Sequence, residues 1–366
     1  MRFQNATANS ATTGPPVKNN AFRPTLMQAV TMERGVLKKV ELPDPVPGAG
    51  EVLVKSIACG ICGSDLHAAR HTEDFVNTSR EAGGAFKLTT FNPVILGHEF
   101  CAEVVDYGPR TERSIAPGSL VCSAPALLRD PMEPVGYSDV IPGGFSEYML
   151  LSETLITPVP HGTSAEFAAL TEPMAVGLHA VNKANLTGKE AILIIGSGPV
   201  GLAIITVLKE RGLGAIIASD FSPGRRTLAE NIGAHFIVDP SVESPFSHPE
   251  LKKHDDVVIF ECVGIPGMID DIFLGAPSNA KIMVVGVCLQ TDHMRPLIAI
   301  NKELSLHFLL GWSMKEFRQS LQYIAEGKFD VGPLITGRTS LDGVAAAFED
   351  LATPNEQAKV LVKPWD

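Results

Sequence analysis

The chain reads as an α/β protein in two parts, a mostly β part followed by a doubly wound parallel sheet. Three observations carry that reading. Its 366 residues, 45% of them apolar and 19% charged, exceed what one hydrophobic core usually supports. Up to about residue 155 the apolar runs are short and punctuated by Gly and Pro, whereas beyond about residue 176 they alternate with helical segments. Finally, a glycine-rich turn, Gly196-Ser-Gly-Pro-Val-Gly201, sits directly between an apolar strand and an apolar helical run.

In chain order, residues 1–25 are rich in Asn, Thr, Ala and Pro, lack the apolar core of a signal peptide, and are expected to form a flexible tail. The first domain is expected over 26–176, with strands at 26–30, 51–57, 102–107, 119–123 and 145–151. The second is expected over 177–315, with strands at 191–195, 214–219, 235–238, 256–261, 281–287 and 304–310. Strands alternating with helices imply right-handed crossovers and a parallel sheet. Residues 316–366, with a β run at 334–336, a helix at 341–351 and a strand at 358–362, are expected to return to the first domain.

Charge and cysteine usage narrow the function classes. A net charge of −11 with no dense basic run argues against a nucleic-acid partner. Residues 191–208 carry no charge, but Gly196, Ser197, Gly198, Pro199 and Gly201 interrupt them, so a buried strand, turn and helix fit better than a membrane span. Six irregularly spaced cysteines suit a reducing compartment, and a cytoplasmic location is the expectation. Small molecules are the expected partners.

The glycine turn has the context of a dinucleotide site. Gly196, Gly198 and Gly201 permit a tight turn, close backbone approach to a pyrophosphate and close helix packing, while Pro199 and Val200 open the helix whose free N–H groups face the anion. Asp220 follows Gly201 by 19 residues at the end of the next strand, where an acid can bond ribose hydroxyls. A carboxylate there repels a 2′-phosphate, so NAD is favoured over NADP, with Arg225 expected to face the adenosine. Val263, Val285, Gly286 and Val287 follow strands whose C-terminal ends face the ligand crevice. A purely structural glycine turn with a surface Asp is the bland alternative.

Cys62, His98, Glu99 and Glu172 supply a thiolate, an imidazole and two carboxylates, a donor set that suits zinc and stops short of closing its shell. Singly, each has an ordinary reading as a small core residue or a surface charge. Together, in the segments Gly60-Ile-Cys-Gly-Ser-Asp65, Gly97-His-Glu99 and Glu172-Pro-Met-Ala-Val-Gly177, and with the glycine turn, they resemble the zinc-dependent medium-chain dehydrogenase/reductase family, in particular its sorbitol and threonine dehydrogenase branch. That resemblance implies a GroES-like β-rich catalytic domain, a Rossmann domain carrying NAD, a cleft between them, and hydride transfer between an alcohol (secondary alcohol or polyol) and NAD. It further implies Cys62 and His98 as zinc ligands, Glu99 or Glu172 as the third, Ser64 and His67 as a proton relay, and a homodimer or homotetramer.

The sequence also departs from the family pattern. Residues 72–90 look like an insertion, read as a long loop that is either a lid or variable surface. Where a four-cysteine structural-zinc lobe would follow Cys122, residues 124–144 contain no cysteine, so one catalytic zinc, no structural zinc and a Pro-rich loop are expected. The apolar Leu309, Leu310 and Trp312 near the active site make a sugar alcohol a doubtful substrate. Two competing functions are a zinc-free quinone or enoyl reductase, which would not need Cys62, His98 and Glu172, and an idle NAD-binding scaffold, which could lose Ser64 and His67.

Overall fold

Side-chain alternation along one long strand organises the first sheet. In the computed structural model, which describes residues 25–84, 86–353 and 356–366, the strand Glu51–Gly60 buries Val52, Val54 and Ala58. It pairs antiparallel with Glu99–Tyr107 on one side; on the other it pairs with Tyr148–Ser152 near its start and Lys359–Val362 near its end. Leu120–Ser123, Ile156–Pro158 and Ile335–Thr339 complete seven strands. All but Thr25 of the tail expected over 1–25 lies outside the described residues.

Leu26–Glu33 and Val36–Pro43 form a separate antiparallel hairpin. The second of these strands was not expected from sequence: charges at Lys38, Lys39 and Glu41 mask its alternation, and only Leu37 and Leu42 pack against the core.

Six parallel strands build the second sheet, in the order Phe236–Val238, Ala215–Ser219, Ala191–Ile195, Val257–Glu261, Lys281–Val284, Ser305–Phe308. The order runs outward from Ala191–Ile195 in both directions, which puts this strand at the switch point where such sheets bind ligands. Every residue of it is buried, as a strand covered on both faces requires. The last two strands end at Val284 and Phe308, earlier than the sequence suggested, and release the residues beyond as loops at the C-terminal end of the sheet. The uncharged run 191–208 divides into a strand and part of the helix Pro199–Glu210, and among the described residues no helix is long and apolar enough to cross a membrane.

Two expectations need correction. Residues 72–90 are not a loop throughout: they begin with the helix Thr72–Glu81, whose few apolar residues gave no periodic signal and which is held by packing of Phe75 and Val76. Residues 124–144 are likewise more ordered than a plain loop, because Ala126–Leu127 pairs with Glu133–Pro134 and ion pairs join Arg129 to Glu51 at 2.7 Å and Lys87 to Glu133 at 2.6 Å.

One strand serves both cores. Along Lys359–Val362, Val360 and Val362 belong to the core that holds Phe100 and Phe145, while Leu361 and the adjoining Ala358 belong to the core that holds Leu170 and Ile194.

Candidate active site

Two segments bring together three of the four expected donors, Cys62, His98 and Glu99, and among the described residues Glu172 is not part of that group. Cys62 caps the helix Gly63–Arg70, and its N–H donates to the Asp65 carboxylate at 2.9 Å, fixing the cap. His98 directly precedes, and Glu99 opens, the strand Glu99–Tyr107 after Gly97, whose φ of +100° suits glycine and whose missing Cβ leaves room for Phe145 and Cys59. One donor atom each from Cys62, His98 and Glu99 lies within 4.8 Å of the others. His98 and Glu99 are 7% and 1% exposed.

The surroundings ask for a cation. Asp65, fully buried, stands 3.3 Å from His98 Nδ1, the kind of carboxylate contact that orients a metal-binding imidazole. Burial disfavours the imidazolium, but Asp65 and Cys62 outweigh it and hold the His98 pKa well above the ordinary histidine range. Burial raises the Glu172 pKa, with Glu99 adding to the effect and His98 opposing it. A proton on His98 thus answers a field that a divalent ion would satisfy better, and the S, N and O donors fit zinc.

The two glutamates are held differently. Glu99 accepts from Lys359 Nζ at 2.8 and 2.6 Å through its two oxygens, and Gly60 supplies the space because a Cβ there would strike Glu99. Its carboxylate is therefore shared with a buried ammonium, a competitor that the family resemblance did not signal. Glu172, in the first turn of the helix Thr171–Ala184, accepts from Trp312 Nε1 at 2.8 Å. Trp312 thus presents a polar edge, contrary to the purely apolar role expected of it.

Ser64 and His67 lie three residues apart on the helix that follows Cys62, hence on one face. Ser64 Oγ accepts from the Tyr137 hydroxyl at 2.7 Å. Burial, then His71 and Arg70, lower the His67 pKa and favour a neutral imidazole.

At the second sheet, Gly196 adopts φ +92°, and a Cβ there would collide with Val263. Gly201 abuts the Gly196 carbonyl, while around Gly198 the nearest atom to a Cβ would be an Arg225 nitrogen at 4.0 Å, which leaves an open cradle at the start of a 12-residue helix. The buried Ser197 hydroxyl in this turn has no partner among the described residues, as a group awaiting a ligand would. Asp220 accepts from the N–H groups of Ser197 and Ser222, both at 2.8 Å. Pro199 and Val200 are half-buried at the helix start; Val263 and Val287 are exposed, and Val285 and Gly286 half-buried, at neighbouring strand ends. Arg225 Nε donates to the Gln357 carbonyl at 3.1 Å, which ties part of the guanidinium to the C-terminal segment while another of its nitrogens stays at the edge of the Gly198 cradle.

Sequence reasoning missed Asp65, Tyr137, Lys359 and Glu261. Glu261 accepts from the N–H groups of Val263 and Gly264 at 2.7 and 2.8 Å and shapes the strand-end turns. The acidic residue three positions after the N-cap Cys62 was the one local signal that could have found Asp65.

The family description alcohol dehydrogenase GroES-like domain matches residues 48–161, and zinc-binding dehydrogenase matches 199–326. The chain is 31% identical over 352 residues to the (R,R)-butanediol dehydrogenase of Bacillus subtilis, covering 90% of this chain and 96% of that one. Against the sorbitol dehydrogenase of Bos taurus it is 27% identical over 348 residues, 90% and 94% of the two chains. A solved structure from Sinorhizobium meliloti, described as a zinc-binding dehydrogenase bound to NADP, superposes with a TM-score of 0.79 at 26% identity over 93% of this chain and 100% of that one. Agreement of both matched regions, the near full-length relatives and the fold is the ground for one conclusion: the chain belongs to the zinc-dependent medium-chain dehydrogenase/reductase family, in its sorbitol and threonine dehydrogenase branch.

Proposed function

We propose that the chain oxidises a secondary alcohol to a ketone, and runs the reverse, with one zinc and NAD(H) per chain. The observation that carries the reading is the convergence of Cys62, His98 and Glu99 within 4.8 Å, with Ser64 in the first turn of the helix that Cys62 caps. In that donor set zinc supplies Lewis-acid acidification of a hydroxyl, and NAD in the glycine turn supplies a hydride acceptor. Cys62, His98 and Glu99 would hold the metal, with Glu172 a second glutamate beside the site. Ser64 takes the hydroxyl proton and His67, neutral through burial, passes it towards solvent. Asp220 holds the adenosine ribose and disfavours a 2′-phosphate, which supports NAD over NADP. Butanediol and sorbitol, named for the relatives, are a diol and a polyol. The aromatic Tyr137 beside His98 supports a substrate with an apolar flank over a sugar alcohol. A homodimer would use the free edge strand Ser305–Phe308, where Phe308 is 66% exposed.

The test combines a screen of alcohols, polyols and ketones with NAD(H) and NADP(H), zinc analysis on the same sample, and the variants Cys62→Ser and His98→Ala. Expected are about one zinc per chain, loss of both turnover and metal in each variant, and retained NADH binding. Full activity in either variant, or two zinc ions per chain, contradicts the reading.

A further inference from the structure

The two stretches that depart from the family pattern, 72–90 and 124–144, meet over the candidate metal site. The Lys87 N–H donates to the Tyr137 carbonyl at 2.9 Å, and Lys87 forms a parallel bridge with Ser138. Lys87 Nζ and the Ser138 hydroxyl both bond Glu133 at 2.6 Å, so one buried carboxylate ties the stretches together. Their rings form a continuous row that reaches His98: Phe75 stacks on Phe86 at 4.8 Å, Phe86 lies tilted 4.7 Å from Tyr137, and Tyr137 lies tilted 5.0 Å from the His98 ring. Tyr137 is 5% exposed, and its hydroxyl ends on Ser64 Oγ at 2.7 Å.

We propose that Tyr137 is a positioning residue for the dehydrogenase reaction, acting through Ser64, and that the helix-bearing insertion is the wall that holds it there. This role rests on the reading of Ser64 as the proton relay. A serine hydroxyl has one proton and two acceptor lone pairs. Tyr137 occupies one lone pair, which leaves one lone pair and one proton, the minimum needed to pass a proton. As the substrate hydroxyl proton reaches the free lone pair, Ser64 releases its own proton towards His67 and ends as the hydroxyl it began. Tyr137 keeps its proton throughout. Without that bond the Ser64 hydroxyl can rotate, and a share of its orientations direct the proton away from the relay.

The test is a double-mutant cycle in the full-length zinc enzyme with Tyr137→Phe, Ser64→Ala and both changes. Tyr137→Phe keeps the ring against His98 and removes only the hydroxyl. It is expected to lower kcat for alcohol oxidation about tenfold, part of the range open to proton transfer, with KM for alcohol and NAD within about twofold. The double variant is expected to be no slower than Ser64→Ala. A second readout uses the metal-free protein: each single change lowers the melting midpoint by about 2 °C, and the pair lowers it no further than the larger single change. Wild-type kcat in Tyr137→Phe, an equal loss in the Ser64→Ala background, or additive midpoints overturns the role while leaving the dehydrogenase reading intact. Absence of any alcohol turnover by the wild-type chain overturns that reading and this role with it.

Discussion

Lys359 is 2% exposed and donates to both oxygens of Glu99 and to the Ile61 carbonyl, at 2.8, 2.6 and 3.1 Å. Taking an ammonium and a carboxylate out of water costs several kcal/mol each, and only close pairing with further hydrogen bonds offsets it. Lys359→Met is therefore expected to destabilise the zinc-free chain by about 3–5 kcal/mol, because it strands a buried carboxylate. Urea unfolding measures this, and a loss below about 1 kcal/mol would mean that water reaches Glu99. Asp220 carries the cofactor preference proposed above. Asp220→Gly is expected to raise kcat/KM for NADP relative to NAD by at least about tenfold, by removing the carboxylate that repels a 2′-phosphate; steady-state kinetics with both cofactors checks it. Cys62, His98 and Asp220 were legible in the sequence because each sits in a short local motif. Tyr137 and Lys359 were not, since their partners lie 73 and 260 residues away and neither segment announces them.

Glu316 joins two elements. It lies in the first turn of the helix Met314–Ala325 and bonds Ser313 at its cap, Asn182 at 2.7 Å and His179 at 2.9 Å on the helix that carries Glu172. Burial works to raise its pKa, but Asn182, Ser313 and His179 bring it down to about 2. A depressed carboxyl stabilises the fold above its ordinary value of 4.5, and that contribution drains away as pH falls through about 2. Glu316→Gln is thus expected to cost about 1–2 kcal/mol at neutral pH, with the deficit shrinking below pH 4.5 and gone near pH 2. Melting curves across that range test it, and a constant offset would exclude Glu316 as the titrating group. Other elements show how far periodicity reaches. The buried strands of the parallel sheet stood out as continuous apolar runs, whereas Val36–Pro43 was hidden by its charges and Thr72–Glu81 by having only Phe75 and Val76 as apolar residues.

On the scale of the whole molecule, the strand Lys359–Val362 points alternate side chains into the two cores. Two bodies joined by a linker would melt separately, but bodies that share a strand lose it together. Calorimetry is expected to show a single transition, and NADH at about 100 times its Kd is expected to move that transition as a unit, through about 2.7 kcal/mol of linkage. Two resolved transitions, only one of them sensitive to NADH, would mean that the shared strand does not couple the cores.

The same strand dictates timing during synthesis. Chains grow from the N-terminus and early domains fold first, so Cys62, His98 and Glu99 leave the ribosome well before Lys359, the counter-ion of Glu99 that lies 260 residues further along. Until Lys359 emerges, the nascent site is a cluster of acids without its ammonium. Lys359 thus joins Glu99 late, and the pairing that neutralises this buried carboxylate belongs to the end of folding rather than to its start.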